Sequence, residues 1–433
     1  MPLAGLYPSL ATPAHRRLWL GIVPYHAAFQ IGLVTTGFAA ASLSDSALAV
    51  GLAVGAWGLP ILVLPPVGGV AADRLSRRRV MLAAQVVLGG SALAVALLAL
   101  GGLLATWHLV LLGLVQGTTY SFFAPSRTAY TAGAVGRGLF PNAIAAYSLS
   151  EHVTAVGGPI LGGLLLTLPL GVPAGYFAIA LLHLLVLGIF VGLPEQPRGL
   201  DGEIRLAERI LEGLRHVRRS PVLGRVLLVA AAAMLLGMPY QRLMPIFAED
   251  VFRVGSTGLG LLLGASGGGA IAGALLASRL GGGRGPAAWQ GPIGAAFGLA
   301  AAGFGVAPTF ELAVVAAALA GLAWAIFAIA NYSLLIGHAD HRLYGRVASL
   351  YQLTFGLGPI GAIPVGAIAD AIGAPAAVAL GGVLLVGVAL ALSPRAADRT
   401  VPETIGAELG AADPDHVAAA SPPGTTRGAR SGR

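Results

Sequence analysis

The segment Gly69-Val70-Ala71-Ala72-Asp73-Arg74-Leu75-Ser76-Arg77-Arg78-Arg79 joins two long apolar stretches and places one acid directly ahead of four arginines. The flanking residues 47–71 and 78–102 are each long enough to cross the roughly 30 Å core of a bilayer, which takes about 20 helical residues. A carboxylate at a helix end can pair with nearby arginines or interact with the positive N-terminus of another helix. The segment therefore predicts a loop between two membrane helices in which Asp73 holds a neighbouring helix. A positive loop with no further role explains the arginines but not the acid.

The composition excludes a water-soluble protein. The chain has 433 residues, of which 56% are apolar and only 10% are charged, and its mean hydropathy is +0.82. An ordinary globular domain carries about 25% charged residues, so this chain has too little charge to cover a surface in water. The same apolar content excludes disorder over most of the length. Lipid is therefore the expected solvent.

The inventory of reactive side chains excludes several chemistries. The sequence has no cysteine, which excludes disulfides, thiol catalysis and thiolate metal sites. All 26 basic residues are arginine, and without lysine a nucleotide-binding loop of the Walker type cannot form. The nine histidines are scattered along the chain. We therefore expect no enzyme activity, no cofactor and no metal site.

Apolar runs of bilayer length predict an all-α membrane protein with twelve transmembrane helices. Glycine and proline are tolerated inside such helices because neighbouring helices satisfy the backbone groups that they free. The predicted spans 1 to 6 are residues 18–42, 47–71, 78–102, 107–125, 142–168 and 173–193, and spans 7 to 12 are 222–247, 257–281, 287–306, 310–336, 346–370 and 374–393.

The distribution of arginine predicts the orientation in the membrane. If the N-terminus and every loop from an even to an odd span lie on one side, that side carries nineteen arginines, against Arg253 alone on the other. Cytoplasmic loops carry such an excess, so we expect a multi-pass protein of the cytoplasmic membrane with both termini inside. The net charge of +8 is then a topology signal, and no nucleic-acid partner is expected.

The same reading divides the chain into five parts. The linker has apolar residues at helical spacing among its charges, which predicts an amphipathic helix on the inner membrane face. The C-terminal tail, rich in Ala, Pro, Gly, Asp and Arg, is expected to be mobile. The parts are the cytoplasmic N-terminus 1–17, the N-terminal six-helix bundle 18–193, the linker 194–221, the C-terminal six-helix bundle 222–393 and the tail 394–433.

The two halves of the chain repeat one another. Gly158-Pro159-Ile160 in span 5 matches Gly358-Pro359-Ile360 in span 11, and Phe123-Ala124 in span 4 matches Phe327-Ala328 in span 10. Gly and Ala are so common here that one match would mean little, but several matches occur in the same order. They indicate a duplicated unit and therefore two pseudo-symmetric six-helix bundles.

The loop 69–79 resembles the signature loop of the Major Facilitator Superfamily, whose members consist of two such halves. Residues 157–163 resemble its span 5 antiporter motif, and residues 123–130, 245–251 and 345–352 are similar to its drug and siderophore exporters, especially the enterobactin-exporter-like branch. The resemblance covers residues 15–395. It implies the major facilitator fold and a secondary transporter that works by alternating access. One departure is Gly113, which stands where proton-coupled exporters of the superfamily usually carry an arginine.

Two sets of candidate residues concern movement between the halves. Pro159 removes a helix hydrogen bond and bends span 5, and the adjoining glycines form a smooth face that can pack or slide. The glycine–proline set of spans 5 and 11 is Gly158, Pro159, Gly162, Gly163, Gly358 and Pro359. The predicted cytoplasmic gate consists of Gly69, Asp73, Arg74, Arg77, Arg78, Arg127 and Arg346.

Ionisable and polar residues inside the spans form the third set, because such groups are costly in lipid and usually functional. A carboxyl group removed from water holds a proton more readily, so Glu151 with His152 is the predicted proton-coupling site. Each remaining residue could equally serve helix packing, and Arg242 could attract an anion or extend outward. The predicted cavity lining is His26, Gln30, Gln116, Tyr120, Tyr147, Tyr240, Arg242, Trp324, Asn331 and Gln352.

This mixture of polar and aromatic groups suits a bulky amphipathic solute better than a sugar. The sequence therefore predicts a monomeric transporter that exports a drug-like or siderophore-like molecule across the bilayer in exchange for protons. An importer or a lysophospholipid transporter of the same fold remains open. A membrane-embedded enzyme or receptor is the alternative of a different class, and it would need clustered catalytic carboxylates or a soluble domain.

We expect Asp73→Asn to slow transport while leaving folding intact, because an amide loses the charge that attracts a helix N-terminus. Solute flux in proteoliposomes and thermal stability in detergent measure the two effects separately. Asp45→Asn, which removes a charge from the predicted loop after span 1, is the control. Unchanged flux in Asp73→Asn would show that Asp73 has no role in gating.

Overall fold

The computed structural model describes residues 7–196, 215, 217–218, 220–280, 285–338 and 344–392. All regular structure in these ranges is helical. The linker helix and the tail predicted from the sequence lie almost wholly outside these ranges and stay predictions.

The described helices follow the twelve predicted spans, whose numbers are kept here. Nine of the described segments are long and apolar enough to cross a membrane. The other three spans are span 2, which is broken into short helices, span 4, which is continuous with span 5, and span 9. In chain order the helices are Pro8–Ala11, Pro13–Leu43 (span 1), Ala47–Gly55, Gly58–Val63 and Pro65–Arg74 (span 2), Arg77–Leu100 (span 3), Thr106–Leu166 (spans 4 and 5), Val172–Val191 (span 6), Pro221–Ala232, Ala233–Gly237, Pro239–Arg242, Met244–Ile246 and Phe247–Val251 (span 7), Gly255–Leu280 (span 8), Gly285–Gly305 (span 9), Phe310–His338 (span 10), Tyr344–Ile372 (span 11) and Ala374–Ala391 (span 12).

Spans 4 and 5 are longer than predicted. The helical segment continues past residue 125 and changes direction at Gly136, whose φ of 72° and ψ of 174° suit a residue without a Cβ atom. Hydrogen bonds from the hydroxyls of Thr128 and Thr131 to the carbonyls of Ala124 and Arg127 support the extension. The predicted span ended at residue 125 because its bounds were read from the apolar run, which gives way there to Ser126, Arg127 and Thr128. Pro125 does not end the helix, because neighbouring helices satisfy the backbone group that it frees.

Span 7 is less regular than predicted. Two wide turns of the π type, Ala233–Gly237 and Phe247–Val251, flank short helical pieces that start near Pro239 and Pro245. Proline has no N–H to donate and clashes with the preceding turn, which accounts for the breaks. Wide turns of this kind are common at functional sites.

The two halves pack in the same way, which confirms the predicted pseudo-symmetric bundles. Inside each half the glycine before the matching proline, Pro159 or Pro359, lies against the first span of that half. A Cβ atom on Gly158 would lie 2.5 Å from Cβ of Gln30, and one on Gly358 would lie 3.2 Å from the sulfur of Met234. Gln30 belongs to span 1 and Met234 to span 7, so the contacts correspond.

Contacts among residues far apart in sequence define two ends of the molecule. Residues 77–79, 127–131 and 191–196 meet at one end, called here the arginine-rich end. Residues 46–48, 163, 256 and 370 meet at the other, called here the opposite end. Leucine and valine side chains on the outer faces, such as Leu184 and Val383, are exposed, as expected for surfaces that face lipid.

We expect Gly158→Ala to lower the melting temperature of the purified protein by several degrees, because the new methyl group meets Gln30. Forcing a methyl group into a packed interface typically costs about 1–3 kcal/mol. Gly157→Ala is the matched control, since a Cβ atom there has no neighbour within 4 Å. Thermal denaturation in one detergent compares them, and an equal melting temperature for both variants would contradict this packing.

Candidate binding cavity between the two halves

A cavity lies between the two halves near the middle of the spans. Its walls come from spans 1, 2, 3, 4 and 6 of the first half and from spans 7 and 8 of the second. The enclosed volume is about 80 Å³, whereas sites for drug-sized ligands measure roughly 300–1,000 Å³. A bulky solute therefore fits only when the halves move apart.

The first half supplies an aromatic wall to this cavity. The ring of Trp57 lies edge to face with Phe29 at 5.5 Å and with Tyr120 at 6.3 Å between ring centroids. Tyr25 extends the wall and stacks on the buried Phe123 at 4.6 Å. Flat, rigid rings of this kind bind apolar and aromatic groups.

The second half supplies the charge. Arg242 borders the cavity, and its guanidinium carbon lies 5.7 Å from the centroid of the Trp57 ring. The irregular backbone of span 7 places Arg242 between Pro239 and Pro245, so that both Arg242 and Gln241 face the cavity. The residues that line the cavity include no aspartate or glutamate.

Arg242 makes no ion pair or hydrogen bond with any residue that the structure describes. Its contact with Trp57 contributes about 0.5–2 kcal/mol. Removing an ion from water costs several kcal/mol even after relaxation. The ring contact alone therefore leaves this cation under-compensated.

Three residues of the predicted cavity lining border this cavity, namely Gln116, Tyr120 and Arg242. The others in the first half make contacts within that half. His26 shares a hydrogen bond with Ser150, Gln30 packs on Gly158, and Tyr147 is buried against Thr131 and His15.

The remaining predicted lining residues lie in the second half. Tyr240 is buried and shares a hydrogen bond with Ser266. Trp324 packs among phenylalanine rings, and Asn331 is buried and accepts a hydrogen bond from Gln290. The side chain of Gln352 lies outside the part of the chain that the structure describes.

The predicted proton-coupling pair does not border this cavity. Glu151 is exposed on span 5, and the ring of His152 lies 2.6 Å from the carbonyl oxygen of Ser148 on the same helix. The coupling role of Glu151 and His152 therefore stays a prediction.

Arginines of the loop 69–79 donate hydrogen bonds to backbone carbonyl groups of other helices in the first half. Arg77 donates to the carbonyl oxygen of Ala129 at 3.2 Å, and Arg78 donates to that of Val191 at 2.5 Å. Val191 is the last residue of span 6, where the helix dipole is negative and attracts cations. These bonds join spans 3, 4 and 6 at the arginine-rich end.

Glu195 adds two ion pairs at this end. Its carboxylate lies 3.7 Å from Arg78 and 3.5 Å from Arg79. The pairs are solvent-exposed, so each contributes little by itself. Their effect is to hold the chain that leaves span 6 against the start of span 3.

The other predicted gate residues lie on spans 2, 4 and 11. Gly69 and Arg74 belong to the last helix of span 2, with Arg74 exposed. Arg127 is half-buried over the ring of Tyr147, at 5.3 Å from its centroid. The side chains of Asp73 and Arg346 lie outside the described part of the structure, so the proposed contact between span 2 and span 11 at this end stays a prediction.

At the opposite end, one acid joins the two halves. Asp370, near the end of span 11, accepts hydrogen bonds from the backbone N–H of Ala47 at 2.6 Å, the backbone N–H of Leu48 at 3.3 Å and the hydroxyl of Ser46 at 2.8 Å. These donors form the start of span 2, where N–H groups have no partner within the helix and the dipole is positive. Asp370 therefore caps a helix of the other half.

Glycines along the same seam bring the halves into close contact. A Cβ atom on Gly55 would lie 2.7 Å from the carbonyl oxygen of Pro359, and one on Gly260 would lie 2.7 Å from that of Pro159. Spans 2 and 11 form one seam and spans 5 and 8 form the other. Close contacts between the two halves continue along these seams as far as Leu62 and Ala155. The cavity is therefore closed at the opposite end.

Sequence reasoning missed Asp370, Trp57 and Gln241. Asp370 carried a usable signal, because it is an acid inside the predicted span 11. Its partners are two backbone N–H groups and the Ser46 hydroxyl, all more than 300 positions away, and no local pattern in the sequence reveals such a contact.

The architecture is that of a twelve-helix transporter with a central cavity, and sequence comparison identifies the family. The chain belongs to the Major Facilitator Superfamily, since residues 4–407 match its family model described as transmembrane secretion effector. It is 30% identical over 354 residues to the enterobactin exporter EntS of Shigella flexneri, covering 81% of this chain and 84% of that protein. It is likewise 30% identical over 356 residues to the enterobactin exporter EntS of Escherichia coli O1:K1.

Solved structures share the fold. A bacterial homologue of the human lysosomal transporter Spinster, in an inward-facing and unoccupied conformation, matches with a TM-score of 0.71 at 17% identity over 88% of this chain and 95% of that one. The nucleoside transporter NupG matches with a TM-score of 0.68 at 14% identity over 88% and 98%. The predicted fold class and family are confirmed. The chain is a multi-pass secondary transporter of the inner membrane and not an enzyme.

We expect Asp370→Ala to open the opposite end more often, because the first turn of span 2 loses the acid that accepts hydrogen bonds from Ser46, Ala47 and Leu48 and keeps only its own N-cap, Ser46. An N-cap side chain typically contributes about 1 kcal/mol, which corresponds to a change of about fivefold in a two-state ratio. Spin labels on Leu168→Cys and Val306→Cys, both exposed, report the separation of the halves by pulsed electron resonance.

Asp45→Asn is the control for this experiment, since it removes a neighbouring exposed charge without touching the cap. The chain has no native cysteine, so no background needs removal. A distance distribution that is identical in wild type and Asp370→Ala would show that the cap does not hold the halves together.

Proposed function

We propose that this protein exports a drug-like or siderophore-like amphipathic molecule from the cytoplasm in exchange for protons. The observation that carries the proposal is the cavity between the halves, which has an aromatic wall on one side, a cation on the other and a seam that closes it at the opposite end. A few polar groups among apolar and aromatic side chains suit an amphipathic solute.

The relatives support export as the direction of transport. The curated proteins that match over 81% of this chain are enterobactin exporters, which favours export here as well. The arginine excess places the arginine-rich end in the cytoplasm. A cavity closed at the opposite end then loads from the cytoplasm.

The proposed cycle requires the two seams to separate. Opening them releases Asp370 from the start of span 2, and the halves then close at the arginine-rich end. The loop at 69–79 supports this second state, with Asp73 attracted to the N-terminus of span 11 near Arg346. A carboxylate at the N-terminus of a helix would thus stabilise each closed end, Asp370 at the opposite end and Asp73 at the arginine-rich end.

Proton coupling is assigned to Glu151. It is the acid that span 5 carries, and ionisable groups inside membrane spans are usually functional. His152 is its neighbour and bonds the backbone of the same helix.

Transport in proteoliposomes tests the proposal. A panel of amphipathic solutes is applied outside vesicles whose interior is either more acidic or more basic than the medium. An antiporter accumulates solute when the interior is acidic, because protons leave as solute enters. Accumulation only with a basic interior would identify a symporter and hence an importer.

We expect Glu151→Gln to abolish the dependence of accumulation on the pH gradient while leaving exchange of solute down its own gradient. An amide cannot carry a proton, whereas its size matches that of the acid. Asp45→Asn, an exposed acid at the opposite end, should keep the dependence. If the dependence survives in Glu151→Gln, another group carries the proton.

A further inference from the structure

The cation in the cavity has no acid to balance it among the residues that the structure describes. Arg242 is the one arginine that borders the cavity, and the lining residues within the described part of the chain include no carboxylate. Its guanidinium lies over Trp57 and makes neither a hydrogen bond nor an ion pair with a described residue. The five N–H donors of the guanidinium have no acceptor among the described residues and are therefore available to a ligand in the cavity.

A second arginine without an acid lies in the same half as the aromatic wall. Arg127 is stacked over Phe123 and Tyr147, at 5.9 Å and 5.3 Å from their centroids. Its Nε atom is buried and has no hydrogen-bond partner among the described residues. Phe123 in turn stacks on Tyr25 of the cavity wall. Arg127 is therefore linked to the cavity wall through Phe123 as a second cation, and the described part of the chain contains no acid paired with it.

We propose that the transported molecule is an organic anion, which binds Arg242 through a carboxylate, sulfonate or phosphate group. Its planar apolar part packs against Trp57, Phe29 and Tyr120. This inference deepens the proposed function by naming the chemical class of the solute, and it rests on that function.

The chemistry of the lining selects an anion over the other classes. A guanidinium binds oxyanions through two parallel hydrogen bonds, and these bonds are strongest where water is excluded. An organic cation would meet Arg242 with like charge and no carboxylate to compensate. A neutral solute would leave the arginine without a counter-charge.

Binding of two related dyes tests this assignment. Anilinonaphthalene sulfonate is an aromatic anion, and phenylnaphthylamine is its counterpart without the sulfonate. Equilibrium dialysis with purified protein in lipid nanodiscs, corrected for empty nanodiscs, measures the affinity of each dye. We expect wild type to bind the anion at least tenfold more tightly than the neutral dye.

Variants separate charge from stacking. We expect Arg242→Gln to weaken binding of the anion at least tenfold and to leave the neutral dye unchanged, with Arg242→Lys intermediate because it keeps the charge but not the two-pronged geometry. Trp57→Leu should weaken both dyes alike. Arg253→Gln, which removes an exposed arginine eleven positions along the chain, should change neither.

Two outcomes would overturn the inference. One is a wild type without preference for the anion. The other is an Arg242→Gln variant that loses both dyes equally, which would make Arg242 a structural residue. Flux measurements test the proposed function separately. Anion binding that depends on Arg242, without any proton-driven transport, would contradict the exporter but support the anion site. Proton-driven transport without preference for anions would support the exporter but contradict the anion site.

Discussion

The two glycine–carbonyl seams are the contacts on which this structure depends. On each seam a glycine of one half lies against the carbonyl oxygen that belongs to the proline of the other half, Gly55 against Pro359 and Gly260 against Pro159. Helix association in lipid has no hydrophobic driving force between helices, so close packing and weak polar contacts decide it. Because side chains do not interlock across such a surface, two packed halves can part along it.

An acid strengthens one of the two seams. Asp370 adds directional hydrogen bonds at the start of span 2, where packing alone is easily reversed. The matching position at the start of span 8 uses a different bond, from the Ser256 hydroxyl to the carbonyl of Gly163. The two seams therefore differ in their charged groups and in their hydrogen bonds, and the seam between spans 2 and 11 is the more polar one.

The cavity is asymmetric for the same reason. One half lines it with rings, and the other contributes a guanidinium from an irregular stretch of span 7. The wide turns and the prolines around Arg242 place that side chain where a regular helix would not. The position of Gly113 fits this division, because a Cβ atom there would already lie 3.0 Å from Ala56. A side chain at that point would require the start of the neighbouring helix to shift by a few tenths of an ångström, and the charge of the cavity comes from span 7.

The sequence by itself determined the class of this protein. Scarce charge, runs of bilayer length, repeated motifs and the loop with Asp73 sufficed for twelve spans in two related halves, because hydropathy and repetition are local properties. The tertiary structure alone decided which residues meet. It placed Gln116, Tyr120 and Arg242 on one cavity, turned Tyr147, Tyr240 and Asn331 toward their own half, and revealed Trp57 and Asp370. A polar residue in a membrane helix has the same composition signal whether it faces a cavity or a neighbouring helix, and only the rotation and contact of the packed helices distinguish the two.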